Sequence, residues 1–167
     1  LGNYILPEEV FEKYGADTFR YYTIGGANPG LDLNYNFDDM QVAYRNLGIL
    51  WNLHKFVIDY SETIGKNPTK IEPTLSLEED YIISKLNSTI QKTTEAFDAY
   101  KLNEIPTLVE SLFLELSRTY IQLVREKSST GPQKEKEAVL HTIYRVLLDS
   151  LKMLAPVSPF ITDKMYL

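Results

Sequence analysis

Two sets of side chains in this chain have the types and spacing for chemistry. Arg45, Asn52 and Phe56 recur at intervals of seven and four residues, with Lys55 at the edge of the row. At about 100° per residue, that spacing puts a cation, an amide and an aromatic ring on one stripe of a helix. Ring against base face, amide on base edge and guanidinium on phosphate is the chemistry that grips an unpaired nucleobase. The stripe also admits a structural reading, in which Ile49, Leu53, Phe56 and Tyr60 pack beneath another helix and bury this one on two sides. The second set is Arg118, Gln122 and Arg125, again one stripe, with Lys127 following. Cations in the last turn of a helix are favoured by its dipole, at about 0.3–1 kcal/mol each, which accounts for Arg125 and Lys127 without any ligand. Arg118 lies too far from the expected helix end for that account and is the more informative arginine.

The elements that must position these residues follow from apolar periodicity and end signals. Gly2 and Asn3 form a turn, Ile5 is apolar, and Pro7 with Glu8 and Glu9 opens a short helix that stops at Lys13-Tyr14-Gly15. Asp17 is placed to cap a second helix whose apolar side is Phe19, Tyr21 and Tyr22. The segment Thr23 to Gly30 is turn-forming, and Gly25-Gly26 is a hinge: no strand precedes it and no G-K-[ST] follows, as a phosphate loop would require. Leu31, Leu33, Tyr35 and Phe37 alternate with polar residues, as in a short extended segment.

The first long helix is expected from Asp38 to about Thr63, stopped by Gly65 and Pro68. Met40, Ala43, Leu47, Leu50, His54 and Val57 form its inner stripe, with Tyr44, Trp51 and Ile58 beside them. His54 and Trp51 are accordingly read as core-facing and structural. Ser76 and Glu79 make a capping box for a second helix reaching about Tyr100, with Ile82, Leu86, Ile90, Thr93, Phe97 and Tyr100 inward. Asn103 is the expected cap of a third, Glu104 to about Lys127, with Leu108, Leu112, Leu116, Tyr120 and Leu123 inward. After a Ser128 to Pro132 hinge, a fourth runs to about Ala155 on Val139, Leu140, Ile143, Val146, Leu147, Leu151 and Leu154. Ser158 and Pro159 then start a last helix. The sum is an all-α antiparallel bundle of four long helices, residues 37–167, preceded by a small helical lobe, residues 1–36.

At 167 residues with 44% apolar and 24% charged composition, the chain has ordinary globular make-up and can bury a sizeable core. It has no cysteine and only two histidines, His54 and His141, which excludes thiolate metal sites and disfavours a histidine-rich one. No apolar run approaches the roughly 20 residues of a membrane span, and the expected location is cytoplasmic. A net charge of −6 argues against a general nucleic-acid binder, so any RNA contact must be a local patch, to which Lys134 and Lys136 would add. No Ser-His-Asp set, Walker loop or G-x-G-x-x-G fingerprint is present, and this chain alone is expected to do no catalysis.

Several ordered motifs carry a resemblance. L-G-N at the start, Ile5, P-E-E at Pro7 to Glu9, K-Y-G-A-D at Lys13 to Asp17 and R-Y-Y at Arg20 to Tyr22 resemble the segment after the KMSKS loop of class I aminoacyl-tRNA synthetases. R-N-L-G-I-L-W-N-L-H-K-F at Arg45 to Phe56, L-S-R-T-Y-I at Leu116 to Ile121 and L-A-P-V-S-P-F-I at Leu154 to Ile161 resemble landmarks of the anticodon-binding domain in the isoleucine, valine and leucine branch. W-N-x-x-x-F with S-R-x-Y-I is most similar to the archaeal or eukaryotic isoleucine type, with valine second and leucine third.

The resemblance implies a tRNA-binding, anticodon-recognising piece of a longer ligase, cut just after its catalytic signature. It implies tRNA, most closely tRNA(Ile), as partner, and no DNA or membrane. ATP and Mg belong to the parent enzyme, and no cofactor is expected in this chain. Asn52, Lys55, Phe56 and Arg118 match the family's motifs, while Arg45 and Arg125 are added from helix geometry. The rivals are a helical protein-interaction bundle without RNA role and a small tRNA-binding accessory protein.

Overall fold

The computed structural model describes residues 6–33 and 35–166, so the readings at Gly2, Asn3 and Ile5 lie outside the described residues. The chain is helical in the order α1 (Pro7–Tyr14), α2 (Ala16–Gly25), α3 (Phe37–Ile64), α4 (Leu77–Asp98), α5 (Ile105–Glu115), a π turn (Leu116–Tyr120), α6 (Ile121–Leu123), α7 (Arg125–Thr130), α8 (Gln133–Leu154) and α9 (Pro159–Tyr166). Among the described residues there is no strand. The expected extended segment instead lays Leu33 and Tyr35 against the core, Tyr35 edge-on to Tyr22 and Phe37, and Phe37 already begins α3.

Helix α3 starts where the Asn36 side chain accepts from the Asp38 amide (2.8 Å) and stops at Gly65, whose φ of 69° is the left-handed conformation that a side chain disfavours. The capping box of α4 is present, the Ser76 amide donating to Glu79 (3.1 Å). Its other end falls earlier than expected: the helix closes at Asp98, and Tyr100, assigned to the inner stripe, takes a φ of 58° and lies 82% exposed. Helix α8 is the hub, packing on α3, α4 and α5, and each of the seven apolar residues assigned to its inner stripe is buried.

The third long helix is not one rod. Asn103 does not cap it; its amide donates to Asn28 Oδ1 (2.8 Å), and α5 begins after a 3-10 turn at Leu102–Glu104. At Leu116–Tyr120 the backbone widens, the Ile121 amide reaching back five residues to the Leu116 carbonyl. It breaks again at Val124. The extra width changes the face: Leu123, expected inward, is 59% exposed, and Val124 is buried in its place.

The lobe is tied down at both sides. Tyr21 donates to Glu110 of α5 (2.5 Å), and burial, reinforced by this contact, drives its phenol pKa well up. Arg20 donates to the carbonyls of Val157 and Pro156, both at 2.9 Å. Asp17 corrects the sequence reading: it sits inside the first turn of α2, behind Gly15, and accepts from the amides of Phe160 and Ile161, capping α9 from 143 and 144 residues away in the chain. Ser158, expected to be that cap, instead turns its buried hydroxyl to the Asp17 carbonyl (3.3 Å).

Candidate nucleic-acid interface

The chain has five arginines, and the fold divides them. Arg20 is spent on the α8–α9 turn, and Arg145 lies 4.0 Å from Asp149. Arg45, Arg118 and Arg125 are exposed and form no ion pair or side-chain hydrogen bond among the described residues. A guanidinium left unpaired in water is available to phosphate.

On α3, Arg45, Asn52 and Lys55 are exposed, whereas Phe56 is half-buried. Phe56 packs on the core and stacks on Tyr60 (5.5 Å, 17°), whose hydroxyl donates to the Ser128 carbonyl (3.0 Å). Burial pushes the Tyr60 phenol up to about 12, so it stays a neutral donor. Leu53 is fully buried and Ile49 half-buried. The structural reading of this stripe therefore holds for its apolar members, and the surface reading holds for the cation, the amide and Lys55.

Arg45 and Asn52 line one open cleft of about 800 Å³ between α3, the α1–α2 junction and α9, together with Tyr44, Gly48, Trp51 and Phe160. Lys55 and Phe56 lie outside that lining. Arg118 sits in the π turn and Arg125 opens α7, and neither lines that cleft. Arg125 is thus at a helix start, and the dipole explanation for a cation at a helix end does not apply to it. Lys127 does have a structural role. Its ammonium donates to the fully buried Glu79 (2.6 Å), which also accepts from Tyr120 (2.8 Å). Burial alone would raise the Glu79 carboxyl, but donation from Lys127, Ser76 and Tyr120 holds it below the ordinary range.

Trp51, expected to face the core, does not: it is 36% exposed, tilted against His54 at 5.6 Å, with Tyr44 50% exposed about two turns back. His54 is half-buried rather than in the core, and partial burial lowers its pKa. The signal for this was available. The apolar residues from Met40 to Ile58 occupy too many positions for one face of a helix, so some had to be outside. No helix among the described residues is long and apolar enough to cross a membrane, and no group of metal-ligating side chains is found among them.

Residues 79–167, from α4 to the end of α9, match the family model described as the anticodon-binding domain of tRNA ligase. The whole chain is similar to isoleucine–tRNA ligases. Identity is 34% to that of Methanopyrus kandleri over 100% of this chain and 16% of the relative. It is 31% to that of Methanosarcina barkeri and 33% to that of Thermococcus kodakarensis, each over 99% of this chain and 16% of the relative. The chain thus spans about one sixth of the length of the curated relatives it matches. Among solved structures, its fold is similar to LeuRS of Agrobacterium radiobacter K84 in a ternary complex with tRNA and LeuAMS. The TM-score is 0.68 and the identity 21%, over 99% of this chain and 20% of that one. With the family model covering more than half of its residues, on a helical fold that this synthetase shares, the chain belongs to the family of anticodon-binding domains of tRNA ligases.

Proposed function

We propose that this chain is the tRNA-binding, anticodon-recognising domain of an isoleucine–tRNA ligase, a cytoplasmic enzyme that charges tRNA(Ile) with isoleucine. The observation that carries this is the run of archaeal isoleucine–tRNA ligases aligned with it from end to end. The ATP and Mg of the ligation belong to the parent enzyme, and no residue of this chain is assigned to them. Asn52 offers an amide to a base edge, Phe56 offers what its packing leaves exposed to a base face, and Arg45, Lys55, Arg118 and Arg125 neutralise phosphates. The unpartnered state of the three arginines, on an acidic chain that pairs its other two, supports this assignment.

The test is filter binding of tRNA(Ile), tRNA(Val) and tRNA(Leu) transcripts to the chain at several salt concentrations. The isoleucine transcript binds best, and affinity falls steeply with salt. Arg118→Ala weakens every transcript alike and flattens the salt slope by about one, as loss of a single phosphate contact does. Asn52→Ala removes the preference for the isoleucine transcript. Equal and salt-indifferent binding of all three would sink the reading and leave a protein-interaction bundle.

A further inference from the structure

Gly48 lies in the middle of the 28-residue α3, where glycine weakens a helix relative to alanine. Nothing in the fold asks for it. Gly15, Gly30 and Gly65 take left-handed φ values, and a Cβ at Gly25, Gly26 or Gly131 would press on Pro106, Leu33 or the Lys127 carbonyl. Alone among the described glycines, Gly48 is helical, exposed and free of any neighbour that a Cβ would meet within 4 Å. The space over its backbone is open, and it is the floor of the cleft.

Its neighbours on the helix surface, three and four residues away in each direction, are Tyr44, Arg45, Trp51 and Asn52, and all four are exposed cleft-lining residues. Tyr44 and Trp51 stand seven residues apart, about 10.5 Å of helix rise. That leaves room for one flat ring between them, since each aromatic pair takes about 4.5–7 Å between centroids. Both rings are held in place, Tyr44 against Tyr14 (5.8 Å) and Trp51 against His54 (5.6 Å). Arg45 and Asn52 carry unpartnered polar heads on the flank, and Phe160, 68% exposed, faces in from α9. Asp17, the one carboxylate in the lining, is already occupied by the α9 amides.

We propose that Gly48 is the floor of a subsite for one unstacked base of the bound RNA. The base slots between Tyr44 and Trp51 against bare backbone, its edge on Asn52 and its phosphate on Arg45. An apolar peptide would leave that cation and amide unpaired, whereas a nucleotide uses both. The proposal rests on the tRNA reading above and adds a second contact to it, about two turns nearer the lobe than Phe56.

Trp51 is the chain's single tryptophan, so its fluorescence reports the subsite directly. The experiment titrates tRNA(Ile) transcript into the wild-type chain, Gly48→Ala, Gly48→Leu and Arg118→Ala, reading emission, affinity and melting temperature. The expected result is quenching in the wild type and in Arg118→Ala at saturation. In Gly48→Leu the quench disappears and affinity drops at least tenfold. Gly48→Ala melts a few degrees higher than wild type and still binds more weakly, a pairing that a packing role would not produce. Undiminished affinity and quenching in Gly48→Leu, with Arg118→Ala weakened, overturns the subsite and leaves the tRNA reading standing. A wild type that binds no transcript overturns both. A wild-type dimer abolished by Gly48→Leu, with RNA binding unaffected, assigns the cleft to a second copy and overturns the subsite.

Discussion

Helix α8 is one unbroken rod of 22 residues, whereas the run from Ile105 to Thr130 is wound in four pieces, although both read as single long helices in the sequence. The difference lies in how the apolar residues step. In α8 the buried face is wide, with Leu140, Leu147 and Leu151 beside Val139, Ile143, Val146, Ser150 and Leu154, so a regular helix stays in step with it. In the broken run, Leu112, Leu116, Tyr120 and Val124 are buried at three successive fours. At about 100° per residue each four overshoots a full turn by about 40°, and three of them carry the stripe about 120° around the axis. The π turn at Leu116–Tyr120 absorbs that drift by widening one loop of backbone.

The two regions are also held differently. Helix α8 is held mainly by apolar packing against α3, α4 and α5. The broken run is pinned by polar contacts on both sides of its break: Tyr120 and Lys127 both donate to the buried Glu79. The sharpest way to test this is Glu79→Ala, which strands both donors. It is expected to cost about 3–5 kcal/mol of unfolding free energy in a denaturant titration. A cost within that of a surface change would mean that the break is held by packing after all. Leu140→Ala, in the fully buried stripe of α8, should cost about 2–5 kcal/mol without any change in pH dependence.

The register of the broken run is tested by a neighbouring pair. Val124→Ala should cost about 1–3 kcal/mol and Leu123→Ser no more than about 0.5 kcal/mol. The reverse order of melting temperatures would restore the regular helix that the sequence suggests. The smallest effect is on acid stability. Because the Glu79 carboxyl is held below its ordinary value of 4.5, its contribution is complete above pH 4.5 and is lost as the pH falls through the folded value. The wild type should therefore lose melting temperature more steeply than Glu79→Gln on acidification below pH 4.5.

The all-α class, the α3 and α8 boundaries and the α4 capping box were legible because each is written in local residues. What stayed hidden depends on partners far along the chain. Asp17 looks like a cap for its own helix, and only the folded arrangement brings α9 to it. Lys127 looks like a cation placed for the helix dipole until Glu79 is set beside it. For the candidate interface, the polar types on α3 marked an outward face, but not that Phe56 would be half-covered while Trp51 stood in the open. Periodicity alone cannot choose which of two adjacent apolar rows a neighbouring helix will cover.

The clasp made by Asp17 and Arg20 at the α8–α9 corner has a mechanical corollary. Because α2 is also fastened to α5 through Tyr21, severing the polypeptide in the connection after Gly26 would not release the lobe. A nicked molecule should elute from a sizing column as a single particle and come apart only in denaturant.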